Sequence, residues 1–133
     1  MDTITNFNPK CDSRYLLYYY QANTKYPASA MTVLSEVREF LTSRGKIYSG
    51  SGYITLRFIV DCEGKIYKVK VLQVDENYKT CRFDKQFVSD LNDYIHTLDR
   101  WEKNLSVYDL KNVNYIAYIS FRIKNGEVVN VVF

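Results

Sequence analysis

The sequence predicts an α+β fold in the order α-β-β-α-β-β: an antiparallel sheet of three to four strands with two helices packed on one face. Three observations predict it. Two stretches carry apolar residues at helical spacing, each is followed by a pair of alternating, strand-like runs, and each pair of runs holds a turn signal. Tyrosine, at 13 copies against 7 phenylalanines and 1 tryptophan, favours half-buried pleated surfaces and contact surfaces over a helical bundle. At 133 residues the chain is large enough for one core and not for two.

Residues 1–25 read as a Tyr-rich N-terminal extension, with the main domain over 26–133. Within the extension, Tyr15-Leu16-Leu17-Tyr18-Tyr19-Tyr20 suits either an added strand or a short helix laid on the domain. Left bare it is an aggregation hazard, so it is expected to be covered. Pro27 biases Tyr26 away from helix, and Ser29 is a suitable N-cap for a helix over 30–43. At 100° per residue Ala30, Val33, Leu34, Val37, Phe40 and Leu41 share one face, opposite Thr32, Ser35, Glu36 and Glu39. Gly45 suits a left-handed position after it.

A flexible connection over 46–52 leads into the first hairpin. Ile54, Leu56, Phe58 and Val60 alternate with Tyr53, Thr55, Arg57 and, beyond, Asp61. After the turn Cys62-Glu63-Gly64, Tyr67, Val69 and Val71 alternate with Lys68 and Lys70, which predicts one core face and one wet face. From 83 to 98 the period turns helical, with Phe83, Phe87, Val88, Leu91, Tyr94, Ile95 and Leu98 in one arc. Such a helix between strands is a crossover that covers the sheet. A strand over 112–123 buries Val113, Tyr115, Ala117, Ile119 and Phe121. Asn125-Gly126 is a type I′ turn signal that returns 128–133 along it.

A net charge of +3 is too small to argue for nucleic acid or a membrane surface. No run of about 18 apolar residues exists, so no membrane span is expected. The first ten residues have neither the basic start nor the apolar centre of a signal peptide. The location is therefore cytoplasmic if Met1 is native, and exported if a leader once preceded the chain. Three cysteines at no metal-ligand spacing, with 1 histidine, predict no metal and no cofactor. Cys62 in the hairpin turn and Cys81 before the second helix can pair in an oxidising compartment; two small unpaired side chains is the plainer reading. His96 has only Asp93 and Asp99 nearby in sequence, and the other acids are scattered singly. The chain reads as lacking an active site, and so as no enzyme.

From Tyr26 to the C-terminus, four features in order resemble the C-terminal domain of TonB, the periplasmic end of the energy-transducing protein of Gram-negative envelopes. They are Tyr26-Pro27 before the first helix and the hairpin Phe58-Ile59-Val60-Asp61-Cys62-Glu63-Gly64-Lys65-Ile66 with Val69 following. Trp101 after the second helix is the third, and the strand over 115–123 closed by Asn125-Gly126 is the fourth. The resemblance implies a non-enzymatic, transport-associated envelope protein of the periplasm. Its partner would be a protein or an extended peptide, as in outer-membrane receptors, bound by strand addition. It places the protein-binding residues at Tyr115, Ala117, Ile119 and Phe121, framed by Tyr26 and Pro27.

The chain departs from the family where Trp101-Glu102-Lys103-Asn104 lacks the usual Pro-Gly. The spacing before the hairpin suits members with an extra helix. The family's membrane anchor and Pro-rich linker are not in this sequence, which holds 2 prolines, so a stand-alone module without coupling to a proton gradient is expected. The Asn125-Gly126 turn predicts that the tail fills the binding edge. Peptide binding then requires displacing the tail, or the edge serves a strand-exchanged homodimer. Trp101 reads as core. The alternative function is a structural or neutralising, immunity-type partner that binds through helix and loop surfaces. Least favoured is nucleic-acid binding on the sheet face carrying Tyr53, Arg57, Lys68, Lys70, Ile116 and Tyr118, for which no RNP-type motif exists.

Overall fold

The computed structural model describes residues 8–133, and of Ser13 and Tyr15 the backbone alone. The reading of residues 1–7, including their lack of leader character, lies outside the described residues. The elements are β1 (Asp12–Tyr18), α1 (Ala30–Ser43), β2 (Gly52–Val60), β3 (Ile66–Asp75), α2 (Lys85–Ile95), β4 (Val113–Lys124) and β5 (Glu127–Val132). The fold is α+β, with a mixed five-stranded sheet in the order β1-β4-β2-β3 and β5 paired to β4. The expectation of three to four antiparallel strands is corrected by β1, which runs parallel to β4. Asp12 and Arg14 bracket its start, and the β-prone run Leu16-Leu17-Tyr18 supplies the ladder opposite Asn114, Tyr115 and Ile116.

The chain divides into two compact units. The first comprises Phe58–Val69, Asp99–Ala117 and the chain up to Pro27; the second comprises Ala28–Arg57, Lys70–Leu98 and Tyr118–Phe133.

In the first unit the N-terminal segment is tied to the β2–β3 hairpin covalently. Cys11 and Cys62 form a disulfide with Cα atoms 5.5 Å apart, and the Cys62 N–H points at Cys11 Sγ at 3.1 Å. Asn8 supports this approach by donating its amide to Asp61 and Glu63, and Lys10 pairs with Glu63 at 3.8 Å. Both readings of Cys62, pairing with Cys81 and the plainer one of no pairing, are thereby corrected, while Cys81 does keep a free thiol, its main-chain N–H bound to the carbonyl of Gln73. The segment that supplies Cys11 has no periodicity to mark it, so sequence alone did not reveal the partner.

The wet face expected for the sheet is also corrected here. Ile59, Asp61, Asn114 and Ile116 all alternate away from the Phe58 and Tyr115 face, yet all are buried. A second departure lies in β3. Lys68 has φ +55°, a left-handed residue inside the strand, and such an irregularity resets the alternation. Val71 is exposed instead of facing the core.

The second unit follows the sequence more closely. Ser29 Oγ accepts the Thr32 N–H at 3.1 Å and Asp84 Oδ1 accepts the Gln86 N–H at 2.7 Å, so each helix begins on a side-chain cap worth about 1 kcal/mol. Helix α1 buries Val33, Val37 and Leu41 and packs on β5 and α2. Helix α2 buries Phe87, Leu91, Tyr94 and Ile95, with Tyr94 edge-on to Phe121 at 6.4 Å. The β4–β5 turn has φ +50° at Asn125 and +77° at Gly126, as a type I′ turn requires. A Cβ added to Gly126 would lie 2.0 Å from the Tyr48 carbonyl oxygen.

Candidate functional site

The residues expected at the binding edge divide between the two units. Tyr115 and Ala117 belong to the first, and Ile119 and Phe121 to the second. All four side chains are buried, so none offers a contact surface. The main chain at Tyr115 and at Phe121 is engaged as well. Residues of β4 from 113 to 116 pair with β1, and those from 120 to 124 pair antiparallel with β5, with a register irregularity between Arg122 and Ile123.

Tyr26 and Tyr115 do come together, in an aromatic cluster built on Trp101. The Trp101 ring lies 4.6 Å from Tyr26, 5.5 Å from Phe58 and 6.4 Å from Tyr115. Tyr26 and Trp101 are both buried, as a packed helix entry and a core tryptophan demand, while Pro27 is exposed. The Arg100 guanidinium sits 5.7 Å over the Tyr26 ring. Tyr115 donates its hydroxyl to the Glu102 carbonyl at 3.3 Å, and Thr24 donates to the Glu102 carboxylate at 2.8 Å. Burial, and then the Glu102 charge, pushes the Tyr115 phenol well above its ordinary value. The cluster therefore fixes the junction before α1; it presents an arginine and a proline to solvent, and little else.

The second unit holds a polar network that sequence reasoning missed. Asp90 is fully buried. It accepts hydrogen bonds from the Tyr48 hydroxyl at 2.5 Å and from Gln86 Nε2 at 2.8 Å, and Arg44 Nη1 lies 3.7 Å away. Burial pushes the Asp90 carboxyl upward, but the Tyr48 and Gln86 hydrogen bonds and the Lys46 and Arg44 charges outweigh it and hold it below the ordinary value. Tyr48 is in turn pushed up to about 12 by burial and by donating to Asp90. This network pins the chain after α1 to α2. A signal for it existed in the sequence: position 90 falls in the same helical arc as Phe83, Phe87 and Leu91, where a lone carboxylate must find donors.

Next to this network lies an open groove of about 270 Å³, whose lining includes Arg38, Leu41, Lys46, Tyr48 and Val128. Ile47 projects fully into solvent at its rim. On the sheet face, Tyr53 stacks on Tyr78 at 5.5 Å, and Ile116 is buried, which removes it from the aromatic and basic group expected there. Among the described residues, no three His, Cys, Asp or Glu side chains converge to hold a metal ion, and no helix is long and apolar enough to cross a membrane. No family model matches the chain, and neither does any curated protein or solved structure.

Proposed function

We propose that the chain is a non-enzymatic, TonB C-terminal-like binding module of an oxidising compartment such as the periplasm, and that it takes up an extended segment of an envelope protein by strand addition at β4. One observation carries this reading: the ladder along 120–124 of β4 is completed by a short six-residue strand, β5, which is seated by two buried side chains, Val128 and Val131. An incoming strand with apolar residues three positions apart replaces β5 like for like, so its main-chain hydrogen bonds are exchanged and not newly gained. It competes with a tethered strand whose effective concentration is on the order of millimolar, which makes binding weak unless side chains add contacts. The Cys11–Cys62 bond supports an oxidising location, because such bonds are rare where thiols are kept reduced.

The test locks β5 in place. Arg122 and Asn130 are register partners and both are exposed, so a disulfide formed in an Arg122→Cys/Asn130→Cys variant holds the strand shut. Amide NMR of the oxidised wild type with extended peptides from receptor plug termini should show shifts over 120–132, and the locked variant should show none. Equal shifts in both, or silence in the wild type, overturns the reading. Concentration-dependent dimers in the wild type alone would assign the exchange to a second copy.

A second reading, a neutralising or structural partner held on helix and loop surfaces, is favoured by fully exposed Ile47 beside its groove. Its mark is a stoichiometric complex that tolerates the lock and is lost in Ile47→Asp.

A further inference from the structure

The sheet path ends at β1 on one side and at β3 on the other, and the two strands treat their outward main-chain groups differently. In β1 the Arg14 N–H is taken up by Asp12 Oδ1 at 3.0 Å and the Tyr18 N–H by Gln21 Oε1 at 2.9 Å. These are self-made caps of the kind that blunt an edge. In β3 the outward side can be read from two bonds: Cys81 N–H donates to the Gln73 carbonyl at 3.2 Å, and Asp75 N–H donates to the Lys79 carbonyl at 2.8 Å. Residues 73 and 75 therefore face away from β2, and by the two-residue period so does Val71. Among the described residues no turn or loop main-chain bond reaches that side of Val71, and β3 is the last strand of the sheet path. Its neighbours Lys70 and Leu72 are exposed, as is Val71 itself, and Lys79 and Arg82 flank the segment that covers 73–75.

We infer that the outer edge of β3 at Lys70-Val71-Leu72 is a second strand-addition site, and that it takes an extended acidic segment of another protein. The bonds made would be those of the Val71 N–H and C=O to the incoming main chain. On one sheet face Lys70, with Arg82 exposed nearby, would meet acidic side chains of the segment, and on the other Val71 would meet its apolar ones. Of the nearby acids, the Asp75 carboxylate is already engaged by the Asn77 and Lys79 N–H groups of its own turn, and Glu76 is exposed at the tip. A second copy of the chain does not fit. Antiparallel pairing centred on Val71 places residue 73 of each copy opposite residue 69 of the other, and the outward carbonyl of Gln73 is already bonded to Cys81. In a second copy this block falls at both ends of the ladder, whereas a separate segment meets it at one end only. This site is independent of the exchange proposed at β4, because β5 stays in place throughout.

The probe is a six-residue peptide of alternating glutamate and valine, titrated into the intact oxidised chain and followed by amide NMR. Shifts centred on 70–72, weakening with added salt, are the expected result; a lysine–valine peptide should give none. Val71→Pro removes the outward donor without touching a bond to β2, as edge prolines do, and should weaken binding about tenfold or more. Should that variant lose its fold by circular dichroism, a peptide N-methylated at alternate amides probes the same bonds on the wild type and should also fail to bind. Shifts confined to 120–132 would place the peptide at β4 and overturn this site while leaving the other reading intact. Unchanged affinity for Val71→Pro, or no shift at millimolar peptide, overturns it too.

Discussion

The two units reach stability by different means, and the contrast says which parts of the chain a sequence can announce. In the first unit no helix lies among the described residues, and its segments are held by a disulfide, by the Asn8 side chain and by the rings packed edge-on and tilted around Trp101. In the second, two capped helices bury apolar stripes, and a buried carboxylate ties the following loop in place. A unit built from cross-links depends on a few long-range bonds. A unit built from periodic faces spreads its stability over many contacts. The largest expected effect follows directly: Cys11→Ala/Cys62→Ala should destabilise the protein by about 4 kcal/mol, as loop entropy predicts for a sequence separation of 51. Amide exchange should show protection lost over 58–69 and 99–117 before it is lost in α1 and α2. Simultaneous loss everywhere would show that the units do not differ in this way.

Next in size is Gly126→Ala, which attacks the second unit at the β4–β5 turn. The added methyl meets the Tyr48 carbonyl carbon at 2.4 Å as well as its oxygen, and both are backbone atoms that cannot swing aside. With a positive φ at the same residue, a loss of about 3 kcal/mol is expected from urea unfolding. A loss under about 1 kcal/mol would mean that the 46–52 connection gives way easily.

Asp90→Asn comes third. The amide can keep its oxygen for Gln86 and Arg44 only by turning its N–H₂ onto the Tyr48 hydroxyl, which loses its acceptor, and the charge is lost as well, so the cost should be about 2 kcal/mol. The same substitution carries a pH signature. The carboxyl is held below its ordinary value in the folded chain, so its contribution is complete above about pH 4 and is lost as the pH falls through the folded value. Stability of the wild type should thus fall more steeply on the acid side than that of the variant. On the alkaline side the sign reverses its origin: Tyr48 ionises near 10 when unfolded and near 12 when folded, so stability falls as pH rises between those values.

What was legible in the sequence follows the same division. Helix α1 begins and ends where Ser29 and the apolar period place it, and the Asn125-Gly126 turn returns β5 along β4 as read. These signals are local, with a cap, a period and a turn each written in a few adjacent residues. The Cys11–Cys62 bond and the parallel pairing of β1 depend on contacts far apart in sequence, and the N-terminal segment that makes them has no period of its own. Alternation marked Tyr115, Ala117, Ile119 and Phe121 as a core-facing set, and all four are buried, so a partner strand at this edge meets the main chain and not these side chains. The open main chain at Val71 was hidden by Lys68, whose left-handed conformation nothing in the strand pattern betrays.

The smallest effect comes from comparing two turns, one in each unit. Asp61 and Asp75 build the same loop: in each, the Asp N–H donates to the carbonyl four residues on, at 2.9 and 2.8 Å. In each, the carboxylate accepts N–H groups two and four residues ahead, from Glu63 and Lys65 or from Asn77 and Lys79. The fourth position needs a left-handed residue, and the first loop uses Gly64 at φ +82° where the second uses Tyr78 at +62°. A bulky residue is strained there, and Tyr78 sets against the strain its contacts with Tyr53, a stacked ring and a hydroxyl hydrogen bond, both at an exposed site where they count for little. Tyr78→Gly should therefore relieve more than it loses and raise Tm by about 2 °C, whereas Gly64→Tyr should lower it, since a Cβ at 64 already meets Lys103 at 3.0 Å. A fall in Tm for Tyr78→Gly would mean that the tyrosine stack, and not the aspartate, holds the second loop in shape. Identical hydrogen bonding would then conceal two different causes.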